Sequence, residues 1–235
     1  MSERDILYRL AATGGISRRD LMSRAAALGV GTALATSFAG EAFAEPKRGG
    51  TLRVALGHGS TTDTLDPATY SDNFTGLAFG GALSNSLTEI DENGKVRPDL
   101  AESFEGSEDL KTWRFKLRSG VTFHDGRKVT SADVIASFKH HMGPDSKSAA
   151  KALLDSVADL PADGDDTVAF TLKDASADFP YITSDVHFPI MPAKDGGADW
   201  ESGNRTGPFA LEKFEPGVVA LLKRNTNYHK SGMPY

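Results

Sequence analysis

The sequence predicts a mixed α/β fold, and two neighbouring patterns carry this prediction. From Trp113 to Leu117, apolar residues alternate with basic ones, which is typical of a strand with one buried face. Thr130 is followed three residues later by Asp133, and this spacing is a variant of the capping box that opens a helix. The two patterns together indicate an α+β segment.

The other elements are predicted in chain order from weaker patterns. Alternation predicts a strand at 51–56, a strand, turn and return strand over 87–96, and a strand at 167–172. Small residues at 76–87 and helical spacing at 148–157 predict two further helices. A hairpin is predicted from strands 209–214 and 218–224, since Glu215-Pro216-Gly217 between them is a turn sequence.

The composition excludes several classes of partner. The chain has 235 residues, no cysteine and a formal net charge of −6. Residues 1–44 hold five arginines and four acidic residues, so the remainder carries a formal charge of −7. An acidic chain without basic clusters argues against binding to nucleic acid or to anionic membrane surfaces. Without disulfides, the stability must come from a hydrophobic core.

Residues 1–44 are predicted to be a secretory signal peptide. Arg18 and Arg19 precede an apolar run over 25–39, and Ala42-Phe43-Ala44 supplies a site for cleavage after Ala44. The paired arginines favour the twin-arginine route, and the alternative is an ordinary secretory signal whose arginines form its basic end. The apolar run is shorter than the roughly 20 residues that span a bilayer. We therefore expect a soluble mature chain in the periplasm.

Three ordered stretches resemble a known family: Pro98–Glu105, Lys116–Gly126 and Thr130–Val134. They are similar to P-x-L-A-E-S-W-E, K-L-R-x-G-V-x-F-H-D-G and T-A-x-D-V in the solute-binding proteins of peptide- and nickel-type ABC transporters, family 5. Several positions depart from the family pattern, including Ser131 beside a usual small residue and residues 225–229, which lack the usual proline and tryptophan. Phe104 replaces a tryptophan, and Arg205 stands where a later G-T-G-P motif begins with glycine.

The resemblance implies the fold of a class II periplasmic binding protein. We expect the first part of lobe one at 45–90, an inserted subdomain at about 91–185, and a return to lobe one at 186–235. Members of the family are typically more than twice as long as this chain, and their second lobe follows the point that corresponds to Tyr235. We therefore expect a truncated N-terminal half in which the second lobe is absent.

The resemblance also implies a function, namely the capture of a small, peptide-like solute and its delivery to the inner-membrane subunits of an ABC permease. The chain would act as a monomer without a cofactor or metal. Two other hypotheses stay open. The chain could be a truncated remnant that no longer binds solute, or a stand-alone module that binds another protein.

Ligand contacts are expected from loops that face the cleft between the lobes. The candidate residues are Ser60, Thr61, Thr62, Tyr70, Asn73, Phe74 and His187. Tyr70 and Phe74 would offer apolar walls, and Asn73 would bond the ligand backbone. The alternative for each is an ordinary turn or core residue, and for His187 a buried histidine whose hydrogen bonds are satisfied.

The sequence argues against an enzyme. It has no cysteine nucleophile, no G-x-S-x-G elbow, no phosphate loop and no H-E-x-x-H motif. His124 is expected to fix a turn, and His140 and His141 to complement the dipole at a helix end. None of these histidines has metal-site spacing, and the acidic turn 163–166 lacks the ligand spacing of a calcium loop.

Overall fold

The computed structural model describes residues 49–57, 59–230 and 232. The predicted signal residues Arg18 and Arg19 and the predicted cleavage after Ala44 lie outside the described residues. Within the described ranges, no helix combines the length and the hydropathy that crossing a bilayer requires. The fold reported below is that of the compact unit that begins at Val54.

The described unit mixes short strands with a few helices, which confirms the predicted fold class. Its strands are β1 (Thr88–Ile90), β2 (Val96–Pro98), β3 (Ala101–Gly106), β4 (Thr112–Leu117), β5 (Val157–Asp159), β6 (Thr167–Leu172), β7 (Ala193–Lys194), β8 (Gly197–Ala198), β9 (Phe209–Glu215) and β10 (Val219–Arg224). Its helices are α1 (Asn73–Thr75), continued by a π-helix (Gly76–Ala82), α2 (Ser131–His141) and α3 (Phe179–Ile182), with 3₁₀ turns at Pro67–Thr69 and Lys151–Leu154.

The main sheet is antiparallel, with strand order β3-β4-β6-β5. Along β4, Trp113, Phe115 and Leu117 are buried and Arg114 and Lys116 are exposed, so the predicted alternation is confirmed. The three remaining sheets are the antiparallel pairs β1-β2, β7-β8 and β9-β10. The predicted strand–turn–strand and the predicted hairpin are therefore also confirmed.

Helix α2 begins at the predicted capping box. The fully buried carboxylate of Asp133 accepts hydrogen bonds from the backbone N–H and the hydroxyl of Thr130, both at 2.8 Å. The same carboxylate accepts from Arg127 Nη2 and from the Ala193 N–H, both at 2.7 Å. One side chain thus caps the helix and fastens it to a turn and to β7.

A large core joins the main sheet to helix α2. The Phe138 ring packs edge-on against Phe170, with centroids 4.9 Å apart, and stacks on Phe188 at 5.3 Å. All three side chains are buried, with no more than 1% of their surface exposed. Because Phe188 lies in the segment that follows α3, this packing holds the return of the chain against the sheet.

A second, smaller core lies under the β9-β10 hairpin. Its fully buried members are Tyr70, Phe79 and Leu83. Apolar side chains of the hairpin cover it, and the Phe214 ring lies edge-on to Phe79 with centroids 4.8 Å apart. This cluster positions the loops that the sequence analysis selected for ligand contact.

The predicted strand at 51–56 is not formed. Those residues lie outside any strand, and the Leu52 and Val54 side chains are 88% and 64% exposed. Alternating residues can cover a core only where a neighbouring strand supplies the hydrogen bonds. Among the described strands, none pairs with this segment.

The two other predicted helices are shorter than expected. The helix predicted at 76–87 begins at Asn73 and ends at Ala82, since the Leu83 carbonyl accepts from the Gly207 N–H at 2.9 Å instead of continuing the helix. The helix predicted at 148–157 is reduced to a 3₁₀ turn at Lys151–Leu154. There, Val157 starts β5 and pairs with β6, because the sheet offers both hydrogen bonds and burial.

Candidate functional site

The structure gathers the predicted ligand residues around the second core. The Phe74 ring lies edge-on to Phe79 at 5.5 Å, and the Tyr70 ring lies 6.2 Å from Phe79 and 6.3 Å from His187. The turn over residues 60–62 adjoins them, because a Cβ on Gly59 would lie 3.9 Å from the Phe74 ring. We call residues 60–62, 70–74 and 187 the candidate site.

The Ser60–Thr62 turn is held by its own polar groups. The Ser60 N–H donates to Asp63 Oδ2 at 2.7 Å, and the Asp63 N–H donates to the Ser60 carbonyl at 3.1 Å. The Ser60 and Thr62 hydroxyls lie 2.9 Å apart. Gly217 of the hairpin turn packs so closely that a Cβ there would lie 2.9 Å from Thr61 Cγ2. Thr61 and Thr62 are nevertheless exposed and can offer hydroxyls to a ligand.

The next loop contains both buried and exposed candidates. Tyr70 is only 2% exposed, and its hydroxyl donates to the Leu65 carbonyl at 3.3 Å, so its ring belongs to the core in this structure. Burial raises the pKa of this hydroxyl, which keeps it neutral. Phe74 is half-buried and Asn73 is exposed. Asp72 caps the helix that begins at Asn73 by accepting from the Thr75 N–H at 2.9 Å.

His187 has partners at both ring nitrogens. Nδ1 lies 2.6 Å from Asp185 Oδ1, and Nε2 lies 2.8 Å from the Tyr70 carbonyl oxygen. The hydrogen bond with Asp185 raises the pKa of His187 above its ordinary value, and burial opposes this only in part. Burial would raise the pKa of Asp185, but the bonds from His187 outweigh it and leave that pKa lowered.

A second histidine anchors the same loop region. His140 Nε2, at the end of α2, lies 2.7 Å from Asp66 Oδ1. Burial would raise the pKa of Asp66, but the hydrogen bonds from His140 and from the Ala68 N–H outweigh it, so that the pKa is lowered. The expectation that His140 only complements the helix dipole was therefore incomplete.

The sequence patterns did not predict the role of Arg205 beneath the site. Its side chain is fully buried and donates to the carbonyls of Asp199, Trp200, Asn204 and Leu65 at 2.9–3.2 Å. Among the described residues, Nε has no partner. The departure from the family glycine at this position was the one signal in the sequence. Distant carbonyls cannot be recognised from local patterns.

A second missed feature is a polar network around Asp99. This carboxylate lies 2.9 Å from Lys230 Nζ, 3.3 Å from His229 Nε2 and 2.9 Å from Asn85 Nδ2. Burial would raise the pKa of Asp99, but the bond from His229 and the charge of Lys230 outweigh it, so that the pKa is lowered. The Asn85 amide also donates to the Tyr228 hydroxyl at 3.1 Å. The network fastens residues 228–230 to the β1-β2 region.

The exposed groups of the candidate site are hydroxyls, an amide and part of an aromatic ring. Such groups can hydrogen-bond a polar solute and cover an apolar portion of it. In the described residues, no group of three or more His, Asp, Glu or Cys side chains is arranged to hold a metal ion.

Comparison with known proteins identifies a family model that matches residues 95–235. That model is described as "Bacterial extracellular solute-binding proteins, family 5 Middle". The oligopeptide-binding protein AppA of Bacillus subtilis (strain 168) is 27% identical over 218 residues, which are 87% of this chain and 39% of AppA. The glutathione-binding protein GsiB of Escherichia coli O157:H7 is 30% identical over 212 residues, which are 88% of this chain and 40% of GsiB.

A solved structure supports the same similarity. The PBP AgaA from A. tumefaciens R10, in complex with agropinic acid, matches with a TM-score of 0.66 at 29% identity. The match covers 74% of this chain and 36% of the AgaA chain. The chain spans about two fifths of the length of AppA and of GsiB.

Proposed function

Because the chain belongs to the family 5 bacterial extracellular solute-binding proteins, we propose that it captures peptides or related small solutes for an ABC importer. The family match over residues 95–235 is the observation that carries this proposal. The captured solute would be passed without chemical change to the inner-membrane subunits of a permease. The protein would work in the periplasm as a monomer.

The candidate site supplies the contacts in this proposal. The exposed hydroxyls of Thr61 and Thr62 and the amide of Asn73 would hydrogen-bond the solute, and Phe74 would cover an apolar part of it. Ser60 orders the turn that presents the two threonines. Tyr70 and His187 support the loop from beneath, since the Tyr70 carbonyl bonds His187.

The domain organisation and export route are part of the same proposal. Residues 1–44 would be removed as a twin-arginine signal peptide after directing export. Residues 45–90 and 186–235 would form parts of lobe one, with about 91–185 as the inserted subdomain. The hydrogen bonds from Asn85 to the Tyr228 hydroxyl and from Arg205 to the Leu65 carbonyl favour a return of the chain to the first part of lobe one.

A stand-alone module that binds another protein is the second candidate. Exposed apolar side chains favour it, since Leu77 is 60%, Val186 is 43% and Val218 is 71% exposed. Isolated exposed apolar residues are common on soluble proteins, so this observation carries less weight than the family match.

Thermal melting in the presence of defined solutes tests the proposed function. We expect glutathione or members of a set of short peptides to raise the melting temperature in a concentration-dependent way. A ligand at 100 times its dissociation constant stabilises the native state by about 2.7 kcal/mol. The pair Asn73→Ala and Asn93→Ala provides a matched comparison, because both asparagines are exposed and only Asn73 lies in the candidate site.

The two variants should respond differently to solute. Asn73→Ala should shift the response to higher solute concentration, whereas Asn93→Ala should behave like the parent chain. If no solute of either kind changes the melting temperature, capture by this chain is contradicted. An equal loss in both variants would contradict the placement of the site.

A further inference from the structure

Hydrogen-bond partners reveal the protonation state of His187. A neutral imidazole carries one N–H donor and one acceptor nitrogen, whereas an imidazolium carries two donors. The partner of Nδ1 is the Asp185 carboxylate at 2.6 Å, and the partner of Nε2 is the Tyr70 carbonyl at 2.8 Å. Both partners only accept, so satisfying both contacts requires a proton on each nitrogen.

Two other histidines, unlike His187, have partners that fit a neutral ring. His124 Nδ1 accepts from the Arg205 N–H at 3.3 Å while its Nε2 faces the Gly207 carbonyl at 3.1 Å, which fits a neutral ring with its proton on Nε2. His141 bonds Ser148 Oγ through Nδ1 at 2.7 Å, and its buried Nε2 has no partner among the described residues. Burial lowers the pKa of both His124 and His141, in agreement with neutral rings.

We propose that His187, as an imidazolium, is a positioning residue that holds residues 70–74 of the candidate site and makes solute capture depend on protonation. This inference rests on the proposed function for its solute-binding part. The ring connects the segment after α3 to the loop that carries Asn73 and Phe74, across 117 positions of sequence.

Deprotonation would weaken this connection. The Asp185 carboxylate would keep the remaining proton on Nδ1, because it is the stronger acceptor. The lone pair of Nε2 would then face the lone pairs of the Tyr70 carbonyl oxygen. The loop would lose one hydrogen bond and gain a repulsive contact in a half-buried place.

The charged groups around His187 allow this behaviour. Asp185 lies on its own segment and favours the imidazolium. His141 on α2 acts on both His187 and Asp185, but it is neutral by the argument above and does not oppose the charge. Asp66, on the segment that leads to Tyr70, is hydrogen-bonded to His140 Nε2 at 2.7 Å.

The sign of the pH dependence follows from the raised pKa. The stabilisation of the loop is fully present below the ordinary histidine pKa of 6.5 and is lost as the pH rises through the higher pKa of the folded state. The equilibrium constant for holding residues 70–74 in place changes by about tenfold for each unit by which the pKa of His187 in the folded state exceeds its ordinary value. Solute should therefore bind more tightly at lower pH.

Nuclear magnetic resonance of the full chain with ¹⁵N-labelled histidine tests the protonation state directly. We expect His187, identified by its absence in His187→Gln, to show two protonated nitrogens at about pH 7 and to titrate above the ordinary range. Hydrogen exchange of the Thr75 amide, which Asp72 holds at the start of α1, reports loop closure. After correction for intrinsic exchange, its protection should fall with rising pH in the parent chain and not in His187→Gln.

Asp185→Asn separates a proton-linked role from a merely structural one. Loss of the carboxylate should lower the titration midpoint of His187, and the midpoint for Thr75 protection should move with it by the same amount. A loss of protection without a shift in midpoint would overturn the proposal. A single protonated nitrogen on His187 at neutral pH would also overturn it.

Glutathione and the same short peptides test whether the protonation of His187 affects solute binding. The rise in melting temperature should be larger at about pH 5.5 than at about pH 8.5 in the parent chain, and equal at both in His187→Gln. A pH-independent rise in the parent chain would contradict the link to capture. If no solute acts at either pH, the proposed function fails, whereas the resonance and exchange results still decide the role of His187.

Discussion

The Nη2 atom of Arg205 donates to the Leu65 carbonyl at 3.2 Å and joins segments that lie 140 residues apart in the sequence. The guanidinium is fully buried and has carbonyl oxygens as its partners. It therefore connects the segment that precedes the β9-β10 hairpin to the loop that leads to the candidate site.

Replacement of Arg205 should strongly destabilise the protein. Arg205→Met keeps much of the side-chain length but leaves the part-buried carbonyls of Asp199, Trp200 and Asn204 without this donor, each at a cost of up to about 1–3 kcal/mol. We expect the free energy of unfolding to fall by about 3 kcal/mol or more, measured by urea denaturation. The stability of Arg205→Lys should lie between that of the parent chain and that of Arg205→Met, because lysine can donate fewer hydrogen bonds than arginine.

Arg114→Met is the matched control for this prediction. Arg114 pairs with Asp163 at 3.1 Å, but its side chain is 51% exposed. Exposed ion pairs contribute at most about 1 kcal/mol, so this variant should stay close to the parent chain. Equal losses in Arg205→Met and Arg114→Met would show that the buried guanidinium does not hold these segments.

Gly207 should tolerate no side chain. A Cβ at this position would overlap with the carbonyl group of Leu83 and the backbone nitrogen of Ser84. Gly207→Ala should therefore cost about 3 kcal/mol or more, or prevent folding, in the same urea experiment. Gly57→Ala is the control, since a Cβ there meets no atom within 4 Å. Similar stability of the two variants would contradict the close approach of these backbones.

Features determined by local chemistry were predictable from the sequence. The alternation along β4 and the Thr130–Asp133 cap involve neighbours within a few residues, and both are present in the structure. The predicted helix at 76–87 was too long because Gly207 takes the Leu83 carbonyl from a distance of over a hundred residues. Periodicity describes which face is apolar, but it does not identify the distant group that competes for a hydrogen bond.

The same distinction between local and distant interactions applies to the candidate site. The sequence selected, as ligand contacts, residues that lie around one small core, because turn residues and aromatic residues mark loops that cover a core. It did not reveal that Tyr70 is almost fully buried or that Arg205 and Asp99 bond distant groups. The roles of the candidate-site residues as ligand contacts or supports stay predictions, which the binding experiments test.

Export provides a test that is independent of the fold. Changing both Arg18 and Arg19 to Lys keeps the positive charge but removes the arginine pair that the twin-arginine route recognises. The precursor should then accumulate in the cytoplasm, as measured by fractionation and immunoblotting. A variant with Arg9→Lys and Arg24→Lys provides a control with the same number of changes. Unimpaired secretion of the Arg18 and Arg19 variant would contradict the twin-arginine assignment.

His141 should make the protein sensitive to acid. Burial lowers the pKa of this residue from 6.5 to about 3, so the native state holds it neutral while the unfolded chain takes up a proton. The stability that results is present above about pH 6.5 and is lost progressively as the pH falls towards about 3. One extra proton bound in the unfolded state corresponds to a slope of about 1.4 kcal/mol per pH unit.

His141→Asn isolates this contribution. The asparagine amide can still bond Ser148 but does not titrate, so the variant should be less stable at neutral pH and lose less stability on acidification. Free energies of unfolding from urea denaturation between about pH 6.5 and 4 should show a slope smaller by about 1.4 kcal/mol per pH unit. His187→Gln should leave the slope in this range unchanged and alter it, in the opposite sense, only above about pH 6.5, because the folded state raises the pKa of His187. Parallel pH profiles for the parent chain and His141→Asn would mean that His141 accepts its proton in the native state, with its Nε2 open to a solvent partner.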